Sequence, residues 1–265
     1  MSGPAYHHPS SGIELIYICI PSYNEGETVG VLLWRIRRIF QDYSREYEII
    51  VYDDGSTDGT RETLEPYAEV IPLTILRGER RKGYGFALDK LAREVSRRTR
   101  YARRDALIVM QADFTDQPEH IPELVKRFEG GADIVAAKQE MTEAPAPVRR
   151  LHLFANWIQR TGLPKTDATD PFTTYRLYRI SVLRELLKSL GEKPVVTSSG
   201  WGGAANMELL LKARRFARRV ENVDLAPRYD VRTRETRVRP VIDALNLFRF
   251  TRTARLLAAP AGGGE

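Results

Sequence analysis

The stretch Gln111-Ala112-Asp113-Phe114-Thr115-Asp116 comes directly after a short apolar run, residues 106–110. A short apolar strand that ends in acidic and amide side chains places oxygen atoms at the edge of a sheet. Open α/β sheets bind their ligands at that edge, beyond the carboxyl ends of the strands. Oxygen ligands suit Mg²⁺ or Mn²⁺ held against a diphosphate. The stretch therefore indicates an α/β fold and the position of its site.

Two further strand candidates end in the same way. Pro21-Ser22-Tyr23-Asn24-Glu25 follows the apolar run 13–20, and Asp53-Asp54-Gly55-Ser56 follows the run 48–52. Three acidic strand ends in one chain are hard to obtain by chance. Because parallel strands share one edge for their carboxyl ends, we expect these side chains to surround a single site.

Apolar runs alternate with amphipathic segments through the first half of the chain. The predicted strands are residues 13–20, 48–52, 73–76, 106–110 and 133–137, and the predicted helices are residues 28–40, 58–67, 84–97 and 121–128. The strand candidates are almost continuously apolar, as is typical of strands buried on both faces. The alternation predicts an α/β fold with a doubly wound, mostly parallel sheet.

The pattern changes after residue 137. Residues 138–148 contain Pro145 and Pro147 and are predicted to form a loop that orders over a ligand. The elements predicted to follow are helices 151–161, 181–190 and 206–213, strands 174–178 and 216–225, and an amphipathic basic helix 241–257. The predicted organisation is a disordered start at residues 1–12, a main domain at 13–227, a basic appendage at 228–257 and a disordered tail at 258–265.

The composition fits one domain with a short appendage. The chain has 265 residues, and its apolar fraction of 42% is enough for a sizeable core. Cys19 is the only cysteine, which excludes an internal disulfide and a cysteine-based zinc site. The sequence shows no apolar run of membrane-spanning length and no signal peptide. We therefore expect a cytoplasmic protein.

The net charge of +6 is concentrated in two segments. Residues 77–104 carry eleven Lys and Arg against three acids, and residues 228–255 carry eight Arg against three acids. Such segments attract the phosphates of nucleotides, nucleic acids or anionic membranes. A solvated helix face is the other explanation, and we favour it for residues 93–104. Because the chain contains no compact nucleic-acid-binding motif, no nucleic-acid partner is expected.

Taken together, the three strand ends resemble family 2 glycosyltransferases, which have the GT-A fold. The segments that carry this resemblance are residues 21–25, 53–60 and 111–113. Within the family the chain is most similar to dolichyl- and polyprenyl-phosphate mannosyltransferases and related glucosyltransferases, through residues 117–119, 170–179 and 206–209. The resemblance implies transfer of mannose or glucose, with inversion, from a nucleotide sugar such as GDP-mannose or UDP-glucose to a polyprenyl phosphate.

The resemblance also implies which residues bind the nucleotide sugar. Asp53 corresponds to the acid that faces the base in the family. The other donor-binding residues that it implies are Pro21, Tyr23, Glu25, Asp54, Gln111 and Ala112. Lys82 and Gly83 join this set because a glycine-containing turn that opens a helix can bind phosphate through its backbone N–H groups.

Asp113 matches the second acid of the family's Asp-x-Asp motif, which holds a divalent cation against the donor diphosphate. The chain departs from the motif at Gln111, where the first acid is expected, and an amide oxygen brings no charge. The implied metal ligands are Asp113, Gln111 and Thr115, with Mg²⁺ or Mn²⁺ as the cofactor. The neutral Gln111 leaves a second interpretation open, namely a non-catalytic relative that binds a sugar nucleotide.

Later segments imply the acceptor side of the site. Asp170 and Arg176 are predicted near the acceptor phosphate or the sugar, and Glu208 is similar to an acid that faces the family's active site. Planar guanidinium groups match phosphate oxygens, and the predicted phosphate ligands are Arg149, Arg150, Arg176 and Arg179. The predicted catalytic residues are Asp113, Asp170, Arg176 and Glu208.

Two classes of acceptor remain open. A lipid phosphate is already an anion near neutral pH and requires positioning, whereas a hydroxyl acceptor also requires a base. The family's hydroxyl-directed members carry a Glu-Asp pair ahead of a Gln-x-x-Arg-Trp segment, and this chain has neither. We therefore favour polyprenyl phosphate over a soluble hydroxyl acceptor. The helix 241–257 is predicted either to lie on an anionic membrane, at its inner face, or to pack against the domain.

Overall fold

The computed structural model describes most of the chain between residues 15 and 254. The described residues are 15–139, 146–161, 168–170, 172–198, 202–225, 244–246, 248–250 and 254. The disorder predicted at residues 1–12 and 258–265 therefore lies outside the described residues.

A seven-stranded sheet forms the middle layer of the fold. Its strands are β1 (Ile16–Ser22), β2 (Tyr47–Asp53), β3 (Leu73–Arg77), β4 (Ala106–Val109), β5 (Ile134–Gln139), β6 (Arg176–Arg179) and β7 (Val220–Leu225). They lie in the order β3-β2-β1-β4-β6-β5-β7. All neighbours pair in parallel except β6, which runs antiparallel to both β4 and β5. The sheet is therefore mostly parallel, as predicted.

Helices cover both faces of the sheet. They are α1 (Val29–Asp42), α2 (Thr60–Ala68), α3 (Tyr84–Arg98), α4 (Ile121–Glu129), α5 (Ala146–Thr161), α6 (Ile180–Leu190) and α7 (Gly202–Arg214). The helices α1, α2 and α4 bury apolar side chains against one face, in a first core cluster. The helices α3, α6 and α7 do the same on the other face, in a second cluster. This arrangement confirms the doubly wound α/β fold.

The strand β1 shows why the central strands read as continuous apolar runs. Successive side chains of a strand point to opposite faces of the sheet. Ile16, Ile18 and Ile20 accordingly enter the first cluster, whereas Tyr17 and Cys19 enter the second. All five are buried, so both faces of the strand require apolar residues. Burial also raises the pKa of the Cys19 thiol, which behaves as a small core residue.

The strand directions bring several chain ends to one edge of the sheet. Because β1, β2 and β4 run parallel, their carboxyl ends meet there, and Ser22 lies in register with Asp53. The strand β6 runs the other way, so it is its first residue, Arg176, that lies at this edge opposite Val109. Polar residues that follow β1, β2 and β4 and those that precede β6 therefore face one another.

The predicted elements are confirmed, with ends shifted by four residues or fewer outside the region around α5. The loop predicted at residues 138–148 is wrong at both ends, because β5 continues to Gln139 and α5 begins at Ala146. Pro147 is the second residue of α5. Proline is compatible with the first turn of a helix, where backbone N–H groups have no helical partner.

Part of the predicted helix 241–257 lies outside the described residues. The described residues 244–246, 248–250 and 254 are helical. Phe250 and Ala254 are buried in a third apolar cluster with Ala155 of α5 and Met207 of α7. Packing against the domain, one of the two alternatives, is thus present, while the domain boundaries themselves stay a prediction. Within the described ranges, no helix has the length and apolar character that crossing a bilayer requires.

Candidate active site

The loops that follow β1 and β2 are joined by hydrogen bonds. The backbone N–H of Asn24 donates to Ser56 Oγ at 2.9 Å, and the backbone N–H of Thr57 donates to Asn24 Oδ1 at 2.9 Å. Asn24 has a φ of 52°, a left-handed conformation that asparagine tolerates better than most residues. The two loops therefore form one unit at the carboxyl edge.

Glu25 is buried where the first loop enters α1. Its Oε2 accepts a hydrogen bond from Thr28 Oγ1 at 3.1 Å, and its backbone N–H donates to Thr60 Oγ1 at 2.9 Å. Both contacts fix the start of a helix, α1 in the first case and α2 in the second. The structure thus places Glu25 at the predicted edge, with its carboxylate against the first turn of α1.

The two acids that end β2 are buried, and both accept backbone hydrogen bonds. Asp53 Oδ1 accepts from the N–H of Ser56 at 3.0 Å. Asp54 uses both oxygens, since Oδ1 accepts from the N–H of Lys82 at 2.8 Å and Oδ2 from the N–H of Gly83 at 2.6 Å. Asp54 therefore holds the turn that opens α3 against the end of β2.

Glycine is required at two positions here, one in that turn and one in the loop after β2. Gly83 has a φ of +100° and Gly55 a φ of +71°, both in the region that disfavours side chains. A Cβ on Gly55 would also lie 2.7 Å from the carbonyl carbon of Arg80. The basic segment before α3 thus passes directly over the end of β2. Its Arg81 guanidinium stacks over the ring of Tyr23 at 4.2 Å, which joins it to the end of β1 as well.

The turn after β4 is fixed by its own carboxylates. Asp113 Oδ1 accepts from the N–H of Thr115 at 3.1 Å, and Asp116 Oδ2 accepts from the N–H of Gln111 at 2.8 Å. Both acids are buried, while Gln111 is partly exposed. Asp116 closes the turn on the residue that begins it. The turn therefore presents Gln111, rather than Asp116, at the surface of the site.

The oxygen atoms of this edge fit a hard divalent cation. Asp113 and Gln111 supply a carboxylate and an amide, and both lie in the turn after β4. Within the described residues, Thr115 Oγ1 and Ser22 Oγ are buried and have no hydrogen-bond partner. Such hydroxyls suit an oxygen-liganded ion such as Mg²⁺ or Mn²⁺. The described part of the chain holds no group of three or more His, Cys, Asp or Glu arranged to bind a metal. A donor diphosphate would therefore have to complete the coordination.

Arg176 is almost fully buried at the start of β6. Its guanidinium donates to the carbonyl oxygens of Asn206 at 3.0 Å and Asp170 at 3.3 Å, and to the hydroxyl of Tyr178 at 3.1 Å. Its Nε has no hydrogen-bond partner among the described residues. The positive charge thus lies next to the site edge, surrounded by neutral oxygen acceptors.

Asp170 is paired with His152, a residue that the sequence analysis does not select. His152 Nε2 of α5 lies 3.2 Å from Asp170 Oδ2, and Asp170 Oδ1 also accepts from the N–H of Phe172 at 3.1 Å. Both members of the pair are largely buried. The pairing joins residues on α5 and on the segment before β6, so no local spacing in the sequence announces it.

Arg179 lies at the wrong edge of the sheet for the role predicted from the sequence. It is opposite Ala106, at the amino end of β4, because β6 runs antiparallel. Its Nε donates to Asp133 Oδ1 at 2.6 Å, and its guanidinium stacks over Phe128 at 4.0 Å. We therefore leave Arg179 out of the candidate site. Arg149 and Arg150 are exposed on α5.

Glu208 is buried on α7, and its carboxylate is saturated with hydrogen bonds. It accepts from the backbone N–H groups of Thr197 and Ser198, at 2.9 Å and 2.7 Å, and from Lys212 Nζ at 2.7 Å. Lys212 Nζ also donates to the carbonyl oxygen of Val195 at 2.8 Å. These contacts anchor the segment 195–198 to α7. Glu208 is thus a structural anchor in this structure, and we do not include it in the catalytic set.

A set of hydrogen-bonded polar residues links the start of α3 to the segment before β6. Its members are Tyr84, Asn206 and Thr174, and it reaches Gln111. The sequence offered no signal for this group beyond the segments 170–179 and 206–209 themselves. Together with Gln111, these residues come from four separate parts of the chain.

The prediction that the arginines of residues 93–104 form a solvated face is partly borne out. Arg97 and Arg98 are exposed and pair with Glu94, and Arg98 also pairs with Glu48. Arg93 instead pairs with Asp89 and donates to the carbonyl oxygen of Lys193.

Comparison with known proteins agrees with this geometry. A family model described as Glycosyl transferase family 2 matches residues 17–187. A dolichol-phosphate mannosyltransferase of Pyrococcus furiosus is 28% identical over 205 residues, which is 75% of this chain and 53% of that protein. An undecaprenyl-phosphate 4-deoxy-4-formamido-L-arabinose transferase of Pseudomonas fluorescens is 32% identical over 169 residues, 62% of this chain and 47% of that protein. The chain spans about half the length of these relatives.

Solved structures show the same fold. Glucosyl-3-phosphoglycerate synthase of Mycobacterium tuberculosis, in complex with phosphoglyceric acid, matches with a TM-score of 0.61 at 19% identity, over 97% of this chain and 88% of that chain. Another structure of that synthase, with Mn²⁺, UDP and glucosyl-3-phosphoglycerate, matches with a TM-score of 0.55 at 20% identity, over 96% and 85%. These likenesses show that the chain has the GT-A fold.

The anchoring role of Glu208 predicts a pH-dependent stability. Burial raises the pKa of Glu208, but hydrogen bonds from Lys212 and Ser198 and the charge of Lys212 outweigh it and lower the pKa below its ordinary value. A carboxyl group with a lowered folded-state pKa stabilises the fold above its unfolded-state pKa, and this contribution is lost as the pH falls through the folded-state pKa. Glu208→Gln should lower the free energy of unfolding at neutral pH by about 3 kcal/mol.

Urea unfolding at neutral pH and at about pH 3 measures this effect. The difference between wild type and Glu208→Gln should shrink on acidification. Glu185→Gln, on the exposed side of α6, serves as the matched control and should change little at either pH. A gap between wild type and Glu208→Gln that is the same at both pH values would contradict the anchoring role.

Proposed function

Because this chain belongs to glycosyl transferase family 2, we propose that it transfers a hexose, mannose or glucose, from a nucleotide sugar to a polyprenyl phosphate. The observation that carries the proposal is the convergence at one sheet edge of the acidic ends of β1, β2 and β4 with the glycine turn that opens α3. The names of the curated relatives, which are transferases of dolichol phosphate and undecaprenyl phosphate, support the acceptor class.

The donor nucleotide is proposed to bind over the ends of β1 and β2. Tyr23 and Arg81 supply a stacked aromatic and cationic surface, and the backbone of Pro21 and the carboxylate of Asp53 border it. Asp54 contributes indirectly, because it fixes the turn of Lys82 and Gly83 against β2. That turn leads into α3, a helix of 15 residues whose amino end favours phosphate.

The diphosphate is proposed to lie beside the turn after β4. Gln111 and Asp113, with the hydroxyl of Thr115, would hold a divalent cation there, and the backbone of Ala112 spaces the two principal ligands. When bound, the cation supplies positive charge that offsets the charge developing on the leaving nucleoside diphosphate. The chain's own groups hold the donor in place for in-line displacement at the anomeric carbon.

The acceptor phosphate is proposed to approach from the side of β6 and α5. Arg176 supplies a buried positive charge at the end of β6 that faces the site, and Arg149 and Arg150 are exposed on α5. A phosphate acceptor is already an anion, so these groups need only attract and orient it.

A second candidate acceptor is favoured by the pair of His152 and Asp170. A histidine whose ring nitrogen faces a buried carboxylate is held in one orientation, which is the arrangement of a general base. Such a base would serve a hydroxyl acceptor. The two acceptors differ in the product, since a glycosyl phosphate is cleaved by mild acid and a simple glycoside resists it.

Replacing Asp113 tests the proposed function. Asp113→Asn should lower transfer of radiolabelled mannose or glucose from GDP-mannose or UDP-glucose to polyprenyl phosphate by at least about 100-fold, since it removes the one carboxylate proposed to hold the cation. The asparagine can still accept the N–H of Thr115, so the melting temperature should remain close to that of wild type.

The matched control is Asp224→Asn, which removes an exposed carboxylate that pairs with Lys138. It should retain wild-type transfer. Full activity of Asp113→Asn would refute the site assignment. A labelled product that survives mild acid would instead favour the hydroxyl acceptor and the base role of His152.

A membrane-facing surface is proposed next to the acceptor side. Leu153 and Trp157 are one helical turn apart on α5 and are 64% and 60% exposed, and Leu245 and Phe248 are 55% and 54% exposed. The two segments lie together, since Ala155 packs in one cluster with Phe250 and Ala254. Exposed Arg149, Arg150 and Arg249 accompany these apolar residues. Apolar side chains with flanking arginines are typical of surfaces that lie on anionic membranes, here at the inner face.

Trp157→Ala should therefore weaken binding to vesicles of phosphatidylcholine and phosphatidylglycerol by about tenfold. Transfer of a large apolar side chain out of water contributes roughly that factor to the binding constant. Co-sedimentation measures the bound fraction. Trp34→Ala is the matched control, since Trp34 is also half exposed but lies on α1 and stacks with Arg38. Equal binding of both variants and wild type would contradict the proposed surface.

A further inference from the structure

Gln111 takes part in a chain of hydrogen bonds that runs through Thr174 and Asn206 to Tyr84. Its Nε2 lies 2.8 Å from Thr174 Oγ1. Thr174 Oγ1 also accepts from Asn206 Nδ2 at 3.1 Å, and Asn206 Oδ1 accepts from the hydroxyl of Tyr84 at 2.7 Å. Asn206 and Thr174 are buried, whereas Gln111 and Tyr84 are partly exposed. The set connects the start of α3, the end of β4, the start of β6 and α7.

The direction of the Asn206 bonds in the set follows from one backbone carbonyl. Asn206 Nδ2 lies 3.1 Å from the carbonyl oxygen of Phe172, which can only accept. The amide of Asn206 is therefore fixed with Nδ2 toward Phe172 and Thr174 and with Oδ1 toward Tyr84. The hydroxyl of Tyr84 must then donate to Asn206.

Thr174 Oγ1 accepts from two side-chain amides. Asn206 Nδ2 donates to it at 3.1 Å, and Gln111 Nε2 donates to it at 2.8 Å. Because Gln111 presents its Nε2 to Thr174, its Oε1 is turned away from this hydroxyl.

We propose that Thr174, fixed by Tyr84 and Asn206, is a positioning residue that orients Gln111 so that its amide oxygen is offered to the cation and diphosphate of the donor. The inference rests on the proposed function. It explains how this chain tolerates an amide where the family's motif has an acid. Glutamine donates to Thr174 with its Nε2 and keeps an oxygen for the ligand, whereas a carboxylate at position 111 has no N–H to offer Thr174.

The same arrangement couples donor binding to the acceptor side. Tyr84 is the first residue of α3 and follows Gly83, which Asp54 holds. Thr174 lies two residues before Arg176. A shift of the turn at Lys82 and Gly83 can therefore reach Gln111 and the segment before β6 through these hydrogen bonds.

The test measures Mn²⁺ affinity rather than turnover. Mn²⁺ is titrated into the protein saturated with UDP and, separately, with GDP, and the free Mn²⁺ is followed by electron paramagnetic resonance. Thr174→Val removes the group that orients the Gln111 amide and should weaken Mn²⁺ binding about fivefold, the effect of one neutral hydrogen bond. Thr174→Ser keeps the hydroxyl and should restore wild-type affinity.

Tyr84→Phe provides a second, independent variant. It removes the hydrogen bond that holds the Asn206 amide, which in turn donates to Thr174, so it should also weaken Mn²⁺ binding although Tyr84 does not bond to Gln111. Thr173→Val is the matched control, because Thr173 Oγ1 is buried and has no hydrogen-bond partner among the described residues. Its Mn²⁺ affinity should equal that of wild type.

Melting temperatures show whether each variant folds. If one of Thr174→Val and Tyr84→Phe fails to fold, the Mn²⁺ affinity of the other tests the inference. Mn²⁺ affinity that is unchanged in the folded Thr174→Val or Tyr84→Phe protein overturns this inference alone. Equal weakening by Thr174→Ser also overturns it. Absence of Mn²⁺ binding by the wild-type protein with both nucleotides refutes the proposed function, and this inference with it.

Discussion

The parallel register of β1 with β2 and β4 is the constraint on which the site depends. β1 is buried on both faces and pairs with a parallel neighbour on each side, so its position along the sheet cannot slip without exposing Ile18 or Cys19. That register sets Ser22 level with Asp53 and brings the turn after β4 to the same edge. Without it, the acids of the three strand ends would lie apart, and no single donor site would exist.

Most carboxylates at this edge accept hydrogen bonds from the protein itself. Asp54 and Asp116 accept backbone N–H groups and so close the turn that opens α3 and the turn after β4, and Glu25 accepts the Thr28 hydroxyl at the start of α1. Buried carboxylates are stable as anions when backbone N–H groups donate to them. The acidic residues that indicate the site in the sequence therefore serve mainly to fix the loops around it. In the proposed site the ligand-facing chemistry is assigned to fewer groups, chiefly Asp113 and Gln111, an amide where the family's motif has an acid.

The sequence was sufficient for the fold because its main signals are local. Alternating apolar runs and amphipathic segments predicted each strand and helix of the first half, and the acidic strand ends predicted the edge at which they meet. The sequence does not predict the direction of β6. The phosphate-binding role predicted for Arg179 therefore does not match its position at the opposite edge of the sheet from the site. A four-residue strand carries no signal that distinguishes parallel from antiparallel pairing.

The side-chain contacts within the site could not be predicted from the sequence, for a related reason. The pairs His152 with Asp170 and Glu208 with Thr197, and the bonds between Tyr84, Asn206 and Thr174, join side chains from separate elements. Their roles depend on which face of a helix or strand each side chain occupies after packing. A motif can therefore locate an acid such as Glu208, while only the packed structure shows that Lys212 and two backbone groups already occupy it.

The most direct test of this account is a crystal of the protein soaked with MnCl₂ and UDP or GDP, with data collected to locate manganese by its anomalous scattering. The account predicts a manganese peak at the carboxyl edge, in contact with the nucleotide diphosphate, the Asp113 carboxylate and Gln111 Oε1. Nucleotide bound at that edge with manganese absent from it, or with Asp113 turned toward the interior and away from the ion, would contradict the central claim.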